Sequence, residues 1–244
     1  MHTTRSSTEV FFRIAAESGL TLTKGMRILD LGCGAGGMVQ ELSDKGFEAW
    51  GCDFESENKN PGPRCLSIDP RPYHLPFEDG FFDLVVSNQV FEHVHNPEET
   101  CREILRVLKP EGAGIHVFPS RWRLIEPHVY VPLATWFRPR WWLSLWAALG
   151  IRNEFQKGMA YQEVASGNHR YLTECTRYLT KDQLGRIFSD VFDEVRFAEI
   201  DLFNTSSWLP RPIRSYISPL CAPLYSGMLQ RIVWARKHPP SFGG

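Results

Sequence analysis

Residues 27–37 read RILDLGCGAGG, a short apolar run that passes directly into a glycine-rich turn. Such a run, followed by glycines where the chain must bend sharply and by a helix-length stretch, is the opening unit of an open, mostly parallel α/β sheet. Gly32, Gly34 and Gly37 also fit the dinucleotide pattern G-x-G-x-x-G, so the glycines alone leave the ligand class open. Asp30 narrows it. A carboxylate at the mouth of the turn repels a pyrophosphate and suits a ligand that brings an amino group and a sulfonium there.

The later order of the chain extends the same unit. Runs at 28–31, 49–52, 84–87 and 114–118 are short, apolar and separated by helix-length segments, which predicts βαβ units. A helix is expected over 37–45, stopped by Gly46, and another from Pro97, with Glu98 and Glu99 in its first turn, to Leu108. Thr180 to Gln183 supply a helix start, and 194–200 and 229–235 read as the last two strands. Asp53, an acid at the end of the second run, is placed to accept hydrogen bonds from ribose hydroxyls.

The run LPFEDGFFDLVVSN at 75–88, then FEHV at 91–94 and REILRVLKPEG at 102–112, stand in the order and spacing of one family. Across roughly residues 25 to 118 the chain resembles the class I S-adenosylmethionine-dependent methyltransferases, in particular the group that includes ubiquinone and menaquinone biosynthesis enzymes. The resemblance implies a Rossmann-like seven-stranded sheet of order 3-2-1-4-5-7-6 with an antiparallel last strand. It implies S-adenosylmethionine as cofactor, with contacts at Asp30, Gly32, Cys33, Gly34, Gly36, Asp53, Phe54, Asp69 and Asn88. Asp69 would accept from the adenine amino group and Phe54 would pack on the ring. His93 falls at a position that is more often framework than base in this group.

At 244 residues and 43% hydrophobic content, one α/β domain over residues 1–244 is expected, with embellishments. Two segments lie outside the shared pattern: a cap insert at about 119–176, leaving the carboxyl end of the fifth strand, and a second insert at about 202–228. The first insert should roof the site. Within 119–158, Arg121, Arg123, Arg138, Arg140, Arg152 and Lys157 stand against Glu126 and Glu154, about +4. Within 205–237, Arg211, Arg214, Arg231, Arg236 and Lys237 meet no acid, about +5. With a whole-chain charge of −1, this leaves about −10 on the remainder.

Trp122, Trp136, Trp141, Trp142 and Trp146 also fall in the first insert, and Pro139 can open a helix that is apolar nearly all round to Leu149. Two readings remain open for that helix. In one it is the inner face of a cap packed on the sheet edge. In the other, arginine and tryptophan together meet an amphipathic anion or an anionic membrane surface.

Just past the fifth strand, Glu126-Pro127-His128 supplies an imidazole able to take a hydroxyl proton near neutral pH, with Glu126 as its orienting partner. His128, Glu126 and His93 are the candidate catalytic residues. The expected activity is methyl transfer to a small-molecule, lipid-linked or glycan acceptor, at oxygen. The alternative is a non-catalytic, membrane-associated binding module or assembly subunit of the same fold. A nucleic-acid substrate is disfavoured, because Ser87-Asn88-Gln89-Val90 is not an N-P-P-Y-type motif and no Pro-Cys pair is present. Cysteines 33, 52, 65, 101, 175 and 221 show no C-x-x-C pairing or metal-type histidine spacing, so no metal site is expected. A polar amino-terminal stretch without a signal-type apolar core leads to an expected cytoplasmic location, and the second reading of the tryptophan helix would add a peripheral position at the inner membrane face.

Overall fold

The computed structural model describes residues 7–54, 64–69, 73–199 and 230–237. Seven strands form one sheet in the order β3-β2-β1-β4-β5-β7-β6. They are β1 (Arg27–Leu31), β2 (Glu48–Phe54), β3 (Cys65–Ile68), β4 (Phe82–Asn88), β5 (Leu108–Pro119), β6 (Glu194–Phe197) and β7 (Gln230–Arg236). β1 pairs in parallel with β2 and β4, while β7 runs antiparallel to both β5 and β6. The expected order and the reversed last strand are both present.

Period-two alternation sorts each strand between two cores. Leu29, Leu31, Val85 and Val233 face one side, where α3 (Pro97–Val107) and α6 (Lys181–Ser189) bring Ile104 and Phe188. Ile28, Leu84, Val86, Ile115 and Trp234 face the other, packed on α1 (Ser7–Glu17) and α2 (Gly37–Asp44) through Phe11, Ile14, Val39 and Leu42. The central strands are therefore apolar on both faces, as a parallel sheet covered by helices requires. Thr180 caps α6, its side chain accepting from the Gln183 amide while Gln183 reaches back.

Several boundaries differ from expectation. α3 ends at Val107, and β5 begins at once at Leu108, absorbing Lys109 and Pro110 that read as a helix stop. β3 and α1 carry no sequence signal strong enough to have been read as elements. β6 ends at Phe197 rather than near 200. The second insert, about 202–228, lies outside the described residues.

The cap insert has a core of its own. Helix α4 (Arg140–Ala148) packs Leu143 and Ala147 on α5 (Tyr161–Glu174), against Val164, Ala165 and Leu172. The tryptophan-rich helix thus rests on another helix, not on the sheet edge. Its opposite stripe, Trp141, Leu145 and Leu149, is exposed. The charge pattern also needs correction. Arg231 is buried and paired with Glu199 at 3.2 Å, and Arg236 is buried over the Trp234 ring. Arg138 turns inward, donating to the carbonyls of Leu172 and Thr135. These three arginines are turned into the fold, two as hydrogen-bond donors and Arg236 against a ring, rather than forming an outward cationic face.

Candidate active site

At the carboxyl end of β1 the chain turns through Gly32, Cys33, Gly34 and Gly36 into α2. Gly32 has φ +76°, and a Cβ there would collide with the Val90 side chain. Gly34, at φ +48°, is the reverse case: a Cβ there meets nothing within 4 Å, so open space lies over the middle of the turn. Asp30 beneath it is buried, and its Oδ1 has no hydrogen-bond partner. Burial, and then the nearby Asp53 charge, push its pKa up to about 7. A buried carboxylate with one oxygen unpartnered, in the strand that leads into this open turn, fits a ligand ending in an ammonium group, which would return the lost partner.

Asp53, in β2, has a second duty. Its Oδ2 accepts from the Gly34 amide at 2.7 Å and its Oδ1 from the Phe54 amide at 2.7 Å. The carboxylate laces the turn to the neighbouring strand and keeps lone pairs for hydroxyl donors. Phe54 presents a part-exposed ring set edge-on to Tyr73. Asp69 directly follows β3 and is exposed; Pro70 and Pro72 beside it lie outside the described residues. Asn88 closes β4 in register with Val117. The Cys33 thiol is buried, and burial together with Cys65 raises its pKa, so it stays protonated and serves as a small filler.

A second constellation stands beyond the carboxyl ends of β4 and β5. After Asn88 the chain passes through Gln89, at φ +59°, and Val90 into a single 3₁₀ turn, Phe91–His93. Glu92 is buried, and neither carboxylate oxygen finds a hydrogen-bond partner beyond its own residue. Burial pushes its pKa up to about 7. The Nδ1 of His93 lies 2.7 Å from the carbonyl of Cys175. A carbonyl only accepts, so Nδ1 carries the hydrogen and Nε2 the lone pair. That Nε2 is 3.9 Å from Glu92 Oε1. Burial lowers the His93 pKa, with the Cys175 hydrogen bond opposing.

Glu126 anchors the other half. It is fully buried, and its Oε2 accepts from the amides of His128 at 2.7 Å and Val129 at 2.6 Å. Its Oε1 accepts from His128 Nδ1 at 2.7 Å and from the Tyr178 hydroxyl at 2.5 Å. Burial alone would raise the Glu126 pKa; the hydrogen bonds from His128, Tyr178 and Val129 outweigh it and the pKa falls. An ionised Glu126 fixes the His128 proton on Nδ1 and leaves Nε2 as the accepting atom. The two imidazoles meet edge to face, with ring centroids 5.0 Å apart.

The three candidate catalytic residues, His128, Glu126 and His93, are thus brought together from two distant segments. The glycine turn, Asp30, Asp53 and Phe54 gather at the ends of β1 and β2, with Asn88 at the end of neighbouring β4. Val90 against Gly32 joins the two halves, two residues before Glu92. Glu92 and Tyr178 were missed as site residues. Glu92 sits beside His93 immediately after β4, the position where it was legible. Tyr178 has no local signal, since a long-range fold alone carries its hydroxyl to Glu126.

Residues 29–115 match a family model described as a methyltransferase domain. Over those residues, about a third of its length, the chain is similar to methyltransferase domains. Over 106 residues it is 31% identical to the sterol 4-C-methyltransferase strm-1 of Caenorhabditis elegans, covering 39% of this chain and 32% of that protein. Over 107 residues it is 32% identical to a ubiquinone biosynthesis O-methyltransferase of a Caulobacter species, covering 40% of this chain and 42% of that one. The chain therefore spans well under two thirds of the length of these curated relatives. A SAM-dependent methyltransferase from Archaeoglobus fulgidus superposes with a TM-score of 0.53 at 14% identity, over 96% of both chains, and shares its fold.

Proposed function

We propose that this protein is an S-adenosylmethionine-dependent methyltransferase acting at a hydroxyl oxygen of a small-molecule, lipid-linked or glycan acceptor. The observation that carries the reading is the pairing of two half-sites at one sheet edge. One is an orphaned Asp30 under an open glycine turn; the other is a pair of imidazoles with free Nε2 atoms past β4 and β5. Bound S-adenosylmethionine supplies an electrophilic methyl group. Asp30 would hold its amino group and Asp53 its ribose hydroxyls, while Phe54 and Asp69 border the adenine.

The chain's own residues then align the acceptor, exclude water under the cap and receive the proton that an attacking hydroxyl must lose. That proton leaves at the cluster of Glu92, His93 and His128. Glu126 is a positioning residue, acting through His128. Oxygen as the accepting atom is supported by the cluster's basic nitrogens, and the O-methyltransferase relative points the same way. Calorimetric titration with S-adenosylhomocysteine, followed by a mass-shift screen of hydroxylated quinone, lipid-linked and glycan acceptors, tests the reading. Failure to bind S-adenosylhomocysteine overturns it.

One observation favours a membrane setting for that activity. Trp141, Leu145 and Leu149 form an exposed stripe on α4 beside Arg140, opposite the face buried on α5. No helix among the described residues is long and apolar enough to cross a membrane. An apolar stripe flanked by a cation suits the boundary of an anionic lipid surface, where a lipid-linked acceptor would be reached.

A further inference from the structure

We propose that Glu92, His93 and His128 bind one divalent ion of the zinc class, through one carboxylate oxygen and two imidazole nitrogens. One ligand atom from each of the three lies within 4.8 Å of the others. Three separate features of the cluster point to a cation.

The first is the state of the imidazoles. Nδ1 of His93 faces the Cys175 carbonyl and Nδ1 of His128 faces Glu126, so both rings present an unprotonated Nε2. Histidines that hold a metal have this arrangement, the second nitrogen donating to a carbonyl or carboxylate that fixes the ring. The second feature is Glu92, a carboxylate buried without a partner. Such a group is costly unless a cation or a donor meets it, and beyond its own backbone and the more distant charges of Arg123 and His128 the described residues bring it only His93 Nε2, at 3.9 Å. The third is access. The side chains of His93 and His128 stay 32% and 25% exposed, while Glu92 is 1% exposed. An ion there would be held from the protein side and open on the other, the form of a site with three protein ligands and one exchangeable position.

Two nitrogens and one oxygen select a borderline metal such as zinc over magnesium or calcium, which prefer oxygen. Tetrahedral bonds of about 2.0–2.2 Å bring ligand atoms roughly 3.5 Å apart, so the rings close by about an ångström on binding. The separation of His128 from Glu92 and His93 in the chain hid this set from any spacing rule. The consequence for catalysis deepens the function proposed above and rests on it: a hydroxyl on the open position is acidified by the ion. With an ion bound, the Glu92 oxygen and the two Nε2 atoms would be ligands and would no longer take that proton, which would pass instead to solvent water as the oxygen attacks the sulfonium methyl.

The test uses the full chain stripped by a chelator. Cobalt(II) titration is followed by visible absorption and zinc(II) titration by calorimetry, with S-adenosylhomocysteine affinity measured on the same preparation. One ion per chain is expected, with the absorption of a nitrogen–oxygen tetrahedral site. Glu92→Gln and His128→Ala should each weaken binding at least about 100-fold, and Glu126→Gln, through His128, about 10- to 100-fold. Circular dichroism checks that each variant folds; His93→Gln serves where Glu92→Gln does not. Absence of one-to-one binding overturns the proposal, as does binding that persists in the His93→Gln, His128→Ala double variant. Thiolate charge-transfer bands, which would place the ion on cysteines, also overturn it. S-adenosylhomocysteine binding without cobalt binding defeats the metal alone. Cobalt binding without S-adenosylhomocysteine binding defeats the methyltransferase reading and leaves the site.

Discussion

The glycine turn after β1 and the acid–imidazole cluster beyond β4 and β5 occupy the same edge of the sheet, yet they are built in opposite ways. The turn is local: Asp30, Gly32, Gly34 and Gly36 lie within one strand–helix junction, and Asp53 joins them from the adjacent strand by a single hydrogen bond. The cluster is assembled at long range. His93 is fixed by Cys175, and His128 by Glu126, which is in turn held by Tyr178. A local turn is held in shape by backbone conformation. A long-range cluster is held by the cap, and it depends on every partner that the cap delivers. Variants should therefore separate the two halves, one failing in cofactor affinity and the other in turnover.

The largest effect expected is at Gly34. Because a Cβ there meets only open space, Gly34→Val should fold, with some strain from φ +48°, while its side chain fills the cradle. S-adenosylhomocysteine affinity should fall by more than about 100-fold, against a drop in melting temperature of only a few degrees. Gly32→Val, by contrast, drives a side chain into Val90 and should lose the fold. If Gly34→Val binds as well as the parent, the cradle is not the cofactor site.

His128→Ala should do the reverse, lowering kcat by about 100-fold or more with S-adenosylhomocysteine affinity unchanged. Glu126→Gln should follow it at about tenfold, because an amide no longer enforces the Nδ1 proton. Steady-state kinetics beside calorimetry separates the two halves; a matching loss of affinity in His128→Ala would show that the halves are one structural unit.

A smaller and pH-dependent effect belongs to Asp30. Its folded-state pKa of about 7 lies above the ordinary value of 3.8, so between about pH 4 and 7 the folded chain holds a proton that the unfolded chain has released. Stability of the ligand-free protein from this group is therefore lost as pH rises through that window. Asp30→Asn should raise stability by up to about 4 kcal/mol at pH 8 and change it little at pH 4. The same variant should bind S-adenosylmethionine poorly. In the parent, a bound ammonium should expel the Asp30 proton at pH 6, read as buffer-dependent heats of binding that vanish near pH 8.5. Equal heats in buffers of different ionisation enthalpy at pH 6 would show that Asp30 does not meet the charge.

These contrasts also explain what the sequence made legible. The strand–helix alternation and the glycine turn follow from short apolar runs and from an acid at fixed spacing, all of which act between near neighbours, whereas the sheet order was implied by the family resemblance. Glu126 and His128 were legible as a pair, since Pro127 holds them two residues apart. Their meeting with His93 was not, because the contact depends on α5 and the turn at Cys175. Charge was misread for the same reason: Arg138, Arg231 and Arg236 count as surface cations in a composition, but each meets an inward partner. Glu92 escaped notice because an acid beside a histidine is unremarkable until its burial is known.

The smallest effect expected concerns the cap's outer face, where the two readings of the tryptophan helix now divide between residues. Trp142 points inward, donating from Nε1 to the Pro132 carbonyl at 2.7 Å, so Trp142→Ala should cost stability, about 3 kcal/mol, through the cap core. Trp141 and Leu149 are 61% and 66% exposed, and their joint change to serine should leave the melting temperature within about 2 °C. That pair should instead weaken sedimentation with anionic vesicles several-fold at low salt. Arg140→Glu should remove most of the salt-sensitive part, because a single exposed cation near anionic lipid contributes about 1 kcal/mol and is screened within roughly 10 Å at 0.1 M salt. If the parent fails to sediment with such vesicles at low salt, the exposed stripe does not meet lipid. If it sediments and the Trp141, Leu149 pair makes no difference, the contact is made by another surface and α4 is a cap helix on both faces.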